Sequence, residues 1–188
     1  MKKFNIILTS ALLITILFSS CEDRRFQTFT ANVPIYMSYE DLRKAVVVED
    51  AVPMVEPGKI YFYDKYIFIN EYMKGIHIID IEDPSSPSAI SFITIPGNVD
   101  MAIKDNILYA DSYIDLVLID ISDPLAPIET NRLDSILSYT LPLYDTDYPL
   151  AQIDYKEGVV TDWEVKEHKQ EIYYNHYPWP IFAEYDML

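Results

Sequence analysis

At 188 residues the chain has the length of one domain with short appendages. Its 14 Lys and Arg residues against 30 Asp and Glu give a formal charge of −16, which excludes nucleic-acid binding because phosphate contacts need a basic surface. The hydrophobic share of 50% excludes a disordered acidic chain. Four glycines and one cysteine exclude phosphate-binding loops, disulfide frameworks and multi-cysteine metal sites.

Residues 1–20 have the pattern of a secretory signal peptide. Lys2 and Lys3 precede an apolar run over residues 4–18, and two small residues then precede Cys21. Residues 18–21, Phe-Ser-Ser-Cys, resemble the bacterial lipobox, which implies that Cys21 is lipidated and becomes the first residue of the mature protein. The alternatives are an ordinary signal peptide with an incidental cysteine, or an uncleaved anchor helix.

Membrane attachment then depends on the lipid on Cys21. Loss of Lys2 and Lys3 changes the formal charge from −16 to −18, so an anionic bilayer surface does not attract the mature chain. We expect an outer-membrane lipoprotein that faces the periplasm or the cell surface. Glu22-Asp23 resembles the acidic tract that marks surface export in lipoproteins of Bacteroidetes-type bacteria. The other interpretation of this dipeptide is a solvated tether.

The middle of the chain contains an internal repeat with a period of forty residues. Residues 66–71 align with 106–111, and residues 76–87 align with 116–127, at an offset of 40 with no gap. The identical pairs are Ile67/Ile107, Ile79/Ile119, Asp80/Asp120, Ile81/Ile121, Asp83/Asp123, Pro84/Pro124 and Pro87/Pro127. Such a period, with several short strands per unit, is typical of propeller blades.

The repeat predicts an all-β, β-propeller-like array of four-stranded blades. Short apolar runs over 66–69, 76–81 and 89–95 recur at 107–110, 116–121 and 128–133. The near-continuous apolar character of 76–81 predicts a strand buried on both faces, and the prolines exclude a helical repeat. Because only two blades are clear, the array is expected to be incomplete: a partial member of a longer family, or one that closes its ring by self-association.

Each repeat contains an Asp-Pro turn. Asp83-Pro84 and Asp123-Pro124 place proline where its fixed φ suits a β-turn. Asp80 and Asp120 lie in otherwise apolar strands, so we expect them to accept hydrogen bonds from N–H groups of the adjacent turn. These residues (Asp80, Asp83, Pro84, Asp120, Asp123, Pro124) form the predicted structural signature of the repeat.

Residues 76–80, Ile-His-Ile-Ile-Asp, and residues 116–120, Leu-Val-Leu-Ile-Asp, each lead into Asp-Pro-x-x-Pro. They resemble LVIVD repeats, a bacterial β-propeller repeat common in Bacteroidetes-type surface lipoproteins. The resemblance covers about residues 58–133 and the N-terminal segment. It implies a propeller and an envelope location, and it offers no catalytic motif.

The chain therefore divides into four parts: a lipoprotein signal peptide (1–20), a tether with a first strand region (21–57), two repeats (58–133), and a degenerate blade with an aromatic tail (134–188). In the flanks, Val46 to Val48 and residues 158–165 have the pattern of strands, and the second of these is a candidate start of a third blade.

Catalytic and metal-binding patterns are weak. His77 is expected to pack in the repeat core, and His168 and His176 lack zinc-site spacing. Asp145 and Asp147 are the candidate ligands for Ca²⁺, but their loop lacks further ligands, so no metal or cofactor is predicted. The aromatic tail, residues 173–179, either packs between blades or forms a binding platform for sugar or peptide.

Two functions fit these patterns. The first is a lipid-anchored extracytoplasmic scaffold, not an enzyme, that binds a protein or a glycan. The alternative is an envelope hydrolase that acts on polysaccharide or peptide with carboxylate groups in a propeller funnel.

Overall fold

Two antiparallel sheets dominate the computed structural model, which describes residues 25–172. Strand makes up 53% and helix 3% of the structure, so the chain is all-β, as predicted. The elements are β1 (Arg25–Met37), α1 (Tyr39–Leu42), β2 (Val47–Glu49), β3 (Pro57–Tyr63), β4 (Tyr66–Glu71), β5 (Gly75–Asp80), β6 (Ser88–Thr94), β7 (Met101–Lys104), β8 (Ile107–Ser112), β9 (Asp115–Asp120), β10 (Ile128–Leu133) and β11 (Val159–Ile172).

Each repeat forms one four-stranded meander. Strands β3 to β6 pair in chain order in the first sheet, here called blade 1, and β7 to β10 pair in the same way in blade 2. Blade 1 carries β2 as a fifth strand, paired antiparallel with β6. The valine run predicted as a strand therefore lies at the outer edge of blade 1.

The structure corrects the alignment of the two repeats. Between β5 and β9 the offset is 40, but the hairpin β3–β4 matches β7–β8 at an offset of 41. The positive φ angles of Asp64 (54°) and Asp105 (53°), each just after the first strand of its hairpin, agree with 41. The change arises because three residues connect β4 to β5 and two connect β8 to β9. Ile67 is thus equivalent to Leu108 and not to Ile107.

The main hydrophobic core lies between the blades. Phe68, Ile76, Ile78 and Ile93 of blade 1 form one buried cluster with side chains of blade 2, among them Met101, Ile103, Leu108, Ala110, Val117 and Ile119. The half-buried rings of Tyr61, Tyr63 and Tyr66 pack against this cluster. First strands β3 and β7 lie side by side. The blades therefore pack face to face, as in a propeller.

Burial differs between the two blades. In blade 1 the middle strands β4 and β5 are mostly buried on both faces, as the apolar run over 76–81 predicts. In blade 2, β8 and β9 alternate strictly between buried and half-buried residues. The expectation of burial on both faces holds for blade 1 only, because the face of blade 2 that points away from blade 1 is partly open.

The flanking segments form a separate two-stranded sheet of β1 and β11. The run over 158–165 therefore pairs with an N-terminal strand, and within residues 134–172 it builds no four-stranded third blade. Asn32 holds the segment before β11, since its side-chain nitrogen donates to the carbonyl oxygens of Asp145 and Tyr148 at 2.8 Å each. Its backbone forms a bridge with Leu150.

Residues 30–166 form one unit that contains both blades, and residues 25–29 with 167–172 belong to a second unit. In the second unit the ring of Phe29 lies edge-on to His168 at 5.9 Å between centroids, and Lys169 lies over the ring of Phe26. Within residues 25–172 no helix is long and apolar enough to cross a membrane.

Candidate functional site

The loops of the two blades collect at two opposite ends of the strands. One end, the turn end, consists of the loops at 64–65, 81–87, 105–106 and 121–127. The other, the acid end, consists of the loops at 72–74, 95–100 and 113–114. The predicted signature residues all lie at or beside the turn end, whereas the buried acidic side chains lie at or near the acid end.

At the turn end, the signature aspartates make the local hydrogen bonds that the sequence predicts. Asp80 Oδ1 accepts from the backbone N–H of Glu82 at 2.7 Å, and Asp120 Oδ1 accepts from the N–H of Ser122 at 2.8 Å. The hydroxyl of Ser122 also donates to Asp120, at 2.6 Å. The two aspartates therefore hold equivalent turns in neighbouring blades.

The Asp-Pro turns are β-turns with proline in the second position. The backbone N–H of Ser86 donates to the carbonyl of Asp83, and that of Ala126 donates to the carbonyl of Asp123, both at 2.9 Å. The Asp83 carboxylate accepts from the N–H and hydroxyl of Ser85, and these bonds lower its pKa. The hydroxyl and N–H of Ser122 lower the pKa of Asp120 in the same way.

A cleft of about 500 Å³ opens between the blades at the turn end. Blade 1 contributes the β3–β4 hairpin, and blade 2 contributes the β7–β8 turn and the start of its Asp-Pro loop. The lining residues that offer rings or hydrogen-bonding groups are Tyr63, Asp64, Lys65, Tyr66, Phe68, Asn106 and Ser122, with Ile121 and Pro124 at the wall. Pro124 is the only member of the predicted signature among them, and Ser91 of blade 1 donates its hydroxyl to the Pro124 carbonyl at 3.1 Å.

Hydrogen bonds fix both walls of this cleft. The Tyr63 hydroxyl donates to Asn106 Oδ1 at 2.9 Å and accepts from the backbone N–H of Asn106 at 3.0 Å. Lys65 pairs with Glu82 at 2.8 Å, which raises the pKa of Lys65, and its ammonium lies 5.7 Å from the centre of the Tyr66 ring. The cleft thus presents a cation, aromatic faces and amide and hydroxyl groups on a preformed surface.

At the acid end, Glu71 holds the entry to β3. Its carboxylate accepts from the backbone N–H groups of Val55 and Glu56, and Oε2 lies 3.0 Å from Nε2 of His77. Burial raises the pKa of Glu71, but the two N–H groups and His77 outweigh it and lower the pKa overall. His77, 2% exposed, packs beside Phe92 in the blade, as predicted.

Asp111 holds the entry to β7 in the corresponding way. Its Oδ1 accepts from Asn98 Nδ2 at 2.8 Å and from the N–H groups of Val99 and Asp100 at 2.8 and 2.9 Å. Asn98 is fully buried and also accepts from the amide of Asn70 at 2.6 Å, which links the two blades. Burial raises the pKa of Asp111, and the donated bonds only partly oppose this.

Asp115 is fully buried, and it ties blade 2 to the N-terminal segment. Its Oδ2 lies 3.2 Å from Arg43 Nε and 3.3 Å from an Arg132 guanidinium nitrogen, while Oδ1 accepts from the N–H of Ser135 at 2.8 Å. Arg132 also pairs with Glu129. The charge of Asp115 is compensated by both arginines, and removal of either one would leave a buried charge that is less well compensated.

The other candidate residues lie apart. Asp145 and Asp147 share one turn, in which Asp145 Oδ1 accepts from the N–H of Asp147 at 2.9 Å. Within residues 25–172 no three His, Cys, Asp or Glu side chains come together as a metal site. Cys21, His176 and the aromatic tail lie outside the described residues.

Residues 58–94 and 98–135 match the model of the LVIVD repeat. The chain contains two LVIVD repeats. Each LVIVD repeat corresponds to one blade, and the Asp-Pro turn of the second repeat borders the inter-blade cleft at the turn end. LVIVD repeats are β-propeller-like, in agreement with the meander order of the strands and the packing of the blades. No curated protein and no solved structure matches the chain significantly.

Sequence reasoning missed Glu71, Asp111, Asp115 and the cleft. One sequence feature does mark the first two residues, since Glu71 is the last residue of β4 and Asp111 is the last but one of β8. The backbone N–H groups that bind these two carboxylates precede them by 11 to 16 residues, and the partners of Asp115 lie up to 72 residues away, so local patterns do not reveal these clusters.

Proposed function

We propose that the protein is a lipid-anchored, extracytoplasmic binding scaffold that holds a protein or glycan ligand in the cleft between its two LVIVD blades. The observation that carries this proposal is the cleft itself. Its volume of about 500 Å³ is within the range of ordinary ligand sites, which span about 300–1,000 Å³. It lies where two repeats meet, so the loops of both blades contribute to one surface.

The chemistry of the cleft suits a polar ligand with flat or apolar faces. The Tyr66 ring provides a stacking surface, and Lys65 with Ser122 provides hydrogen-bond donors at the rim. Both sugars and extended peptides present this combination of groups. The Tyr63–Asn106 hydrogen bonds fix the walls before binding. The protein therefore loses little conformational entropy when a ligand binds.

A binding role rather than an enzymatic one is proposed because, among the residues that the structure describes, the cleft lining holds no pair of carboxylates that could act as acid and base. Asp64 is the carboxylate of the β3–β4 hairpin in the lining. Elsewhere in the blades, Glu71 pairs with Lys74, Asp115 pairs with Arg132, and Asp111 accepts three hydrogen bonds, at or near the other end of the strands.

The anchoring part of the proposal rests on the sequence of residues 1–21. A basic start, an apolar run and the Ser-Ser-Cys ending support export and lipidation of Cys21. A single acyl chain gives only weak attachment, so stable anchoring in the outer membrane needs the multiple chains that lipoprotein processing supplies. The blades then face the periplasm or the cell surface.

The binding test compares Lys65→Glu with Lys44→Glu on a glycan array and in pull-downs from envelope extracts. Both lysines are exposed and each pairs with one glutamate, but only Lys65 lines the cleft. We expect saturable binding that Lys65→Glu weakens at least tenfold and that Lys44→Glu leaves unchanged. Equal binding by both variants, or turnover in a broad hydrolase screen that a carboxylate variant abolishes, would contradict the proposal.

The anchoring test is fatty-acid labelling in a bacterium that processes lipoproteins. Cys21→Ser is expected to abolish labelling and release the protein from the membrane fraction, because Cys21 is the only cysteine. Ser20→Ala keeps a small residue before the cysteine and should retain both. Unchanged labelling of Cys21→Ser would rule out the lipobox interpretation.

A further inference from the structure

Each blade has one face that does not pack on the other blade. The blade-1 free face consists of Ile60, Phe62, Ile67 and Ile79, which lie on one side of β3, β4 and β5. Ile69 and His77 lie on the same side of the sheet but are already buried within the chain. The blade-2 free face consists of Ala102, Lys104, Tyr109, Leu116, Leu118 and Leu133, across β7 to β10. Both faces are mainly apolar, although the chain carries a formal charge of −16.

The corrected alignment of the repeats shows what the blade-1 free face corresponds to. Ile60 and Phe62 are equivalent to Met101 and Ile103 of blade 2, which lie in the core between the blades. Met101 and Ile103 are 2% and 6% exposed, because blade 1 covers them, whereas Ile60 and Phe62 are 56% and 67% exposed. These two positions of the repeat are therefore buried in blade 2 and exposed in blade 1.

The converse holds for the blade-2 free face. Tyr109, Leu116 and Leu118 are equivalent to Phe68, Ile76 and Ile78. These three residues of blade 1 pack against blade 2. The three residues of blade 2 are half-buried. The blade-1 free face is therefore equivalent to the packed face of blade 2. The blade-2 free face is equivalent to the packed face of blade 1.

The charges at the rim agree with the same arrangement. Lys59 precedes Ile60, Asp100 precedes Met101, and the two occupy equivalent positions. Lys59 Nζ lies 2.6 Å from Asp100 Oδ1 across the interface between the blades. If blade 2 of one copy met blade 1 of another in the same way, Asp100 of the first would again meet a Lys59, so opposite charges would alternate along the array.

We propose that a second copy of this chain covers these faces: the blade-1 free face of one copy packs on the blade-2 free face of another. The contact is head-to-tail and pairs the same positions of the repeat as the interface within the chain, at the part of the blade-1 face that the chain leaves exposed. Because closed propellers have about four to eight blades, the array closes as a ring of about two to four copies. This inference concerns assembly and does not depend on the ligand of the cleft.

Two charge substitutions at exposed positions test this assembly. Phe62→Glu blocks the blade-1 free face, and Ala102→Glu blocks the blade-2 free face, and neither side chain lies in the core. Leu143→Glu, at a position that is 82% exposed and lies on neither face, is the control. Native mass spectrometry of the full chain in mild detergent measures the number of copies, and circular dichroism confirms that each variant is folded.

We expect assemblies of two to four copies for the unchanged chain and for Leu143→Glu, and single copies for either blocking variant. A mixture of Phe62→Glu and Ala102→Glu keeps one intact pair of faces, so it should form dimers with one chain of each kind and nothing larger. A wild-type chain that stays a single copy at micromolar concentration, or blocking variants that keep the wild-type mass, would overturn the proposal. So would a mixture that forms no dimers.

Discussion

The carboxylate of Asp111 offers a direct test of how the acid end is held together. All three of its donors bind one oxygen, Oδ1, at 2.8–2.9 Å. Asp111→Asn keeps an acceptor oxygen at this place and removes the charge, whereas Asp111→Ala removes the acceptor as well. The pair of variants therefore separates the contribution of the hydrogen bonds from that of the charge.

The expected loss for Asp111→Ala follows from the donors that remain. Asn98 Nδ2 keeps the carbonyl oxygens of Asp100 and Asp111 as partners, at 3.0 and 3.2 Å. The N–H of Asp100 is at an exposed residue, where water replaces the lost acceptor, and Val99 is half-buried. One incompletely satisfied donor costs about 1–3 kcal/mol of unfolding free energy. Asp111→Asn should cost less than about 1 kcal/mol.

The charge of Asp111 also makes the free energy of unfolding depend on pH. Burial raises the pKa of Asp111 above the ordinary 3.8, so the unfolded chain loses this proton first as the pH rises. The contribution of Asp111 to stability is therefore complete below pH 3.8 and is lost as the pH rises through the folded pKa. Urea unfolding from pH 3 to 7 should show this loss in the unchanged chain relative to Asp111→Asn. A relative stability that rises with pH, or equal losses for the Asn and Ala variants, would refute the reasoning.

Three further predictions concern the fold. Glu71 has a lowered pKa, so its contribution to stability is present above the ordinary pKa of 4.5 and is lost as the pH falls through the folded pKa. In urea unfolding, Glu71→Gln should remove this loss at acid pH. An unchanged pH profile in the variant would contradict the prediction. Gly97→Ala should cost more than about 1 kcal/mol in the same assay, because φ is +77° and a Cβ would lie 2.4 Å from a tyrosine ring; a neutral effect would exclude this strain. Asp80→Ala and Asp120→Ala should each lower the thermal unfolding midpoint, and equal small effects for these and Glu82→Ala would mean that the aspartates are merely solvated.

The sequence predicts the features of this fold that depend on neighbouring residues. The Asp-Pro turns and the bonds of Asp80 and Asp120 are local, so the residue types and their spacing determine them. The four-stranded blades follow from the repeat period and its short apolar runs. These are the parts of the structure that recur in both repeats with the same chain separation.

Features that depend on loop length or distant partners could not be predicted. A single residue more in the β4–β5 connection shifts the register of the repeat, so a gapless alignment pairs Ile67 with the wrong residue. Asp115 forms ion pairs with Arg43 and Arg132, and only the folded chain brings these two arginines together. The cleft likewise arises from loops of two repeats.

The two LVIVD repeats form blades that pack face to face. Nuclear Overhauser contacts between side chains of the two repeats test this packing most directly. The account predicts contacts between the Tyr63 ring and the Asn106 side chain, and between Phe68 and the buried side chains of blade 2, such as Leu108. Contacts confined within each repeat, with none between Phe68 and residues 101–121, would contradict it.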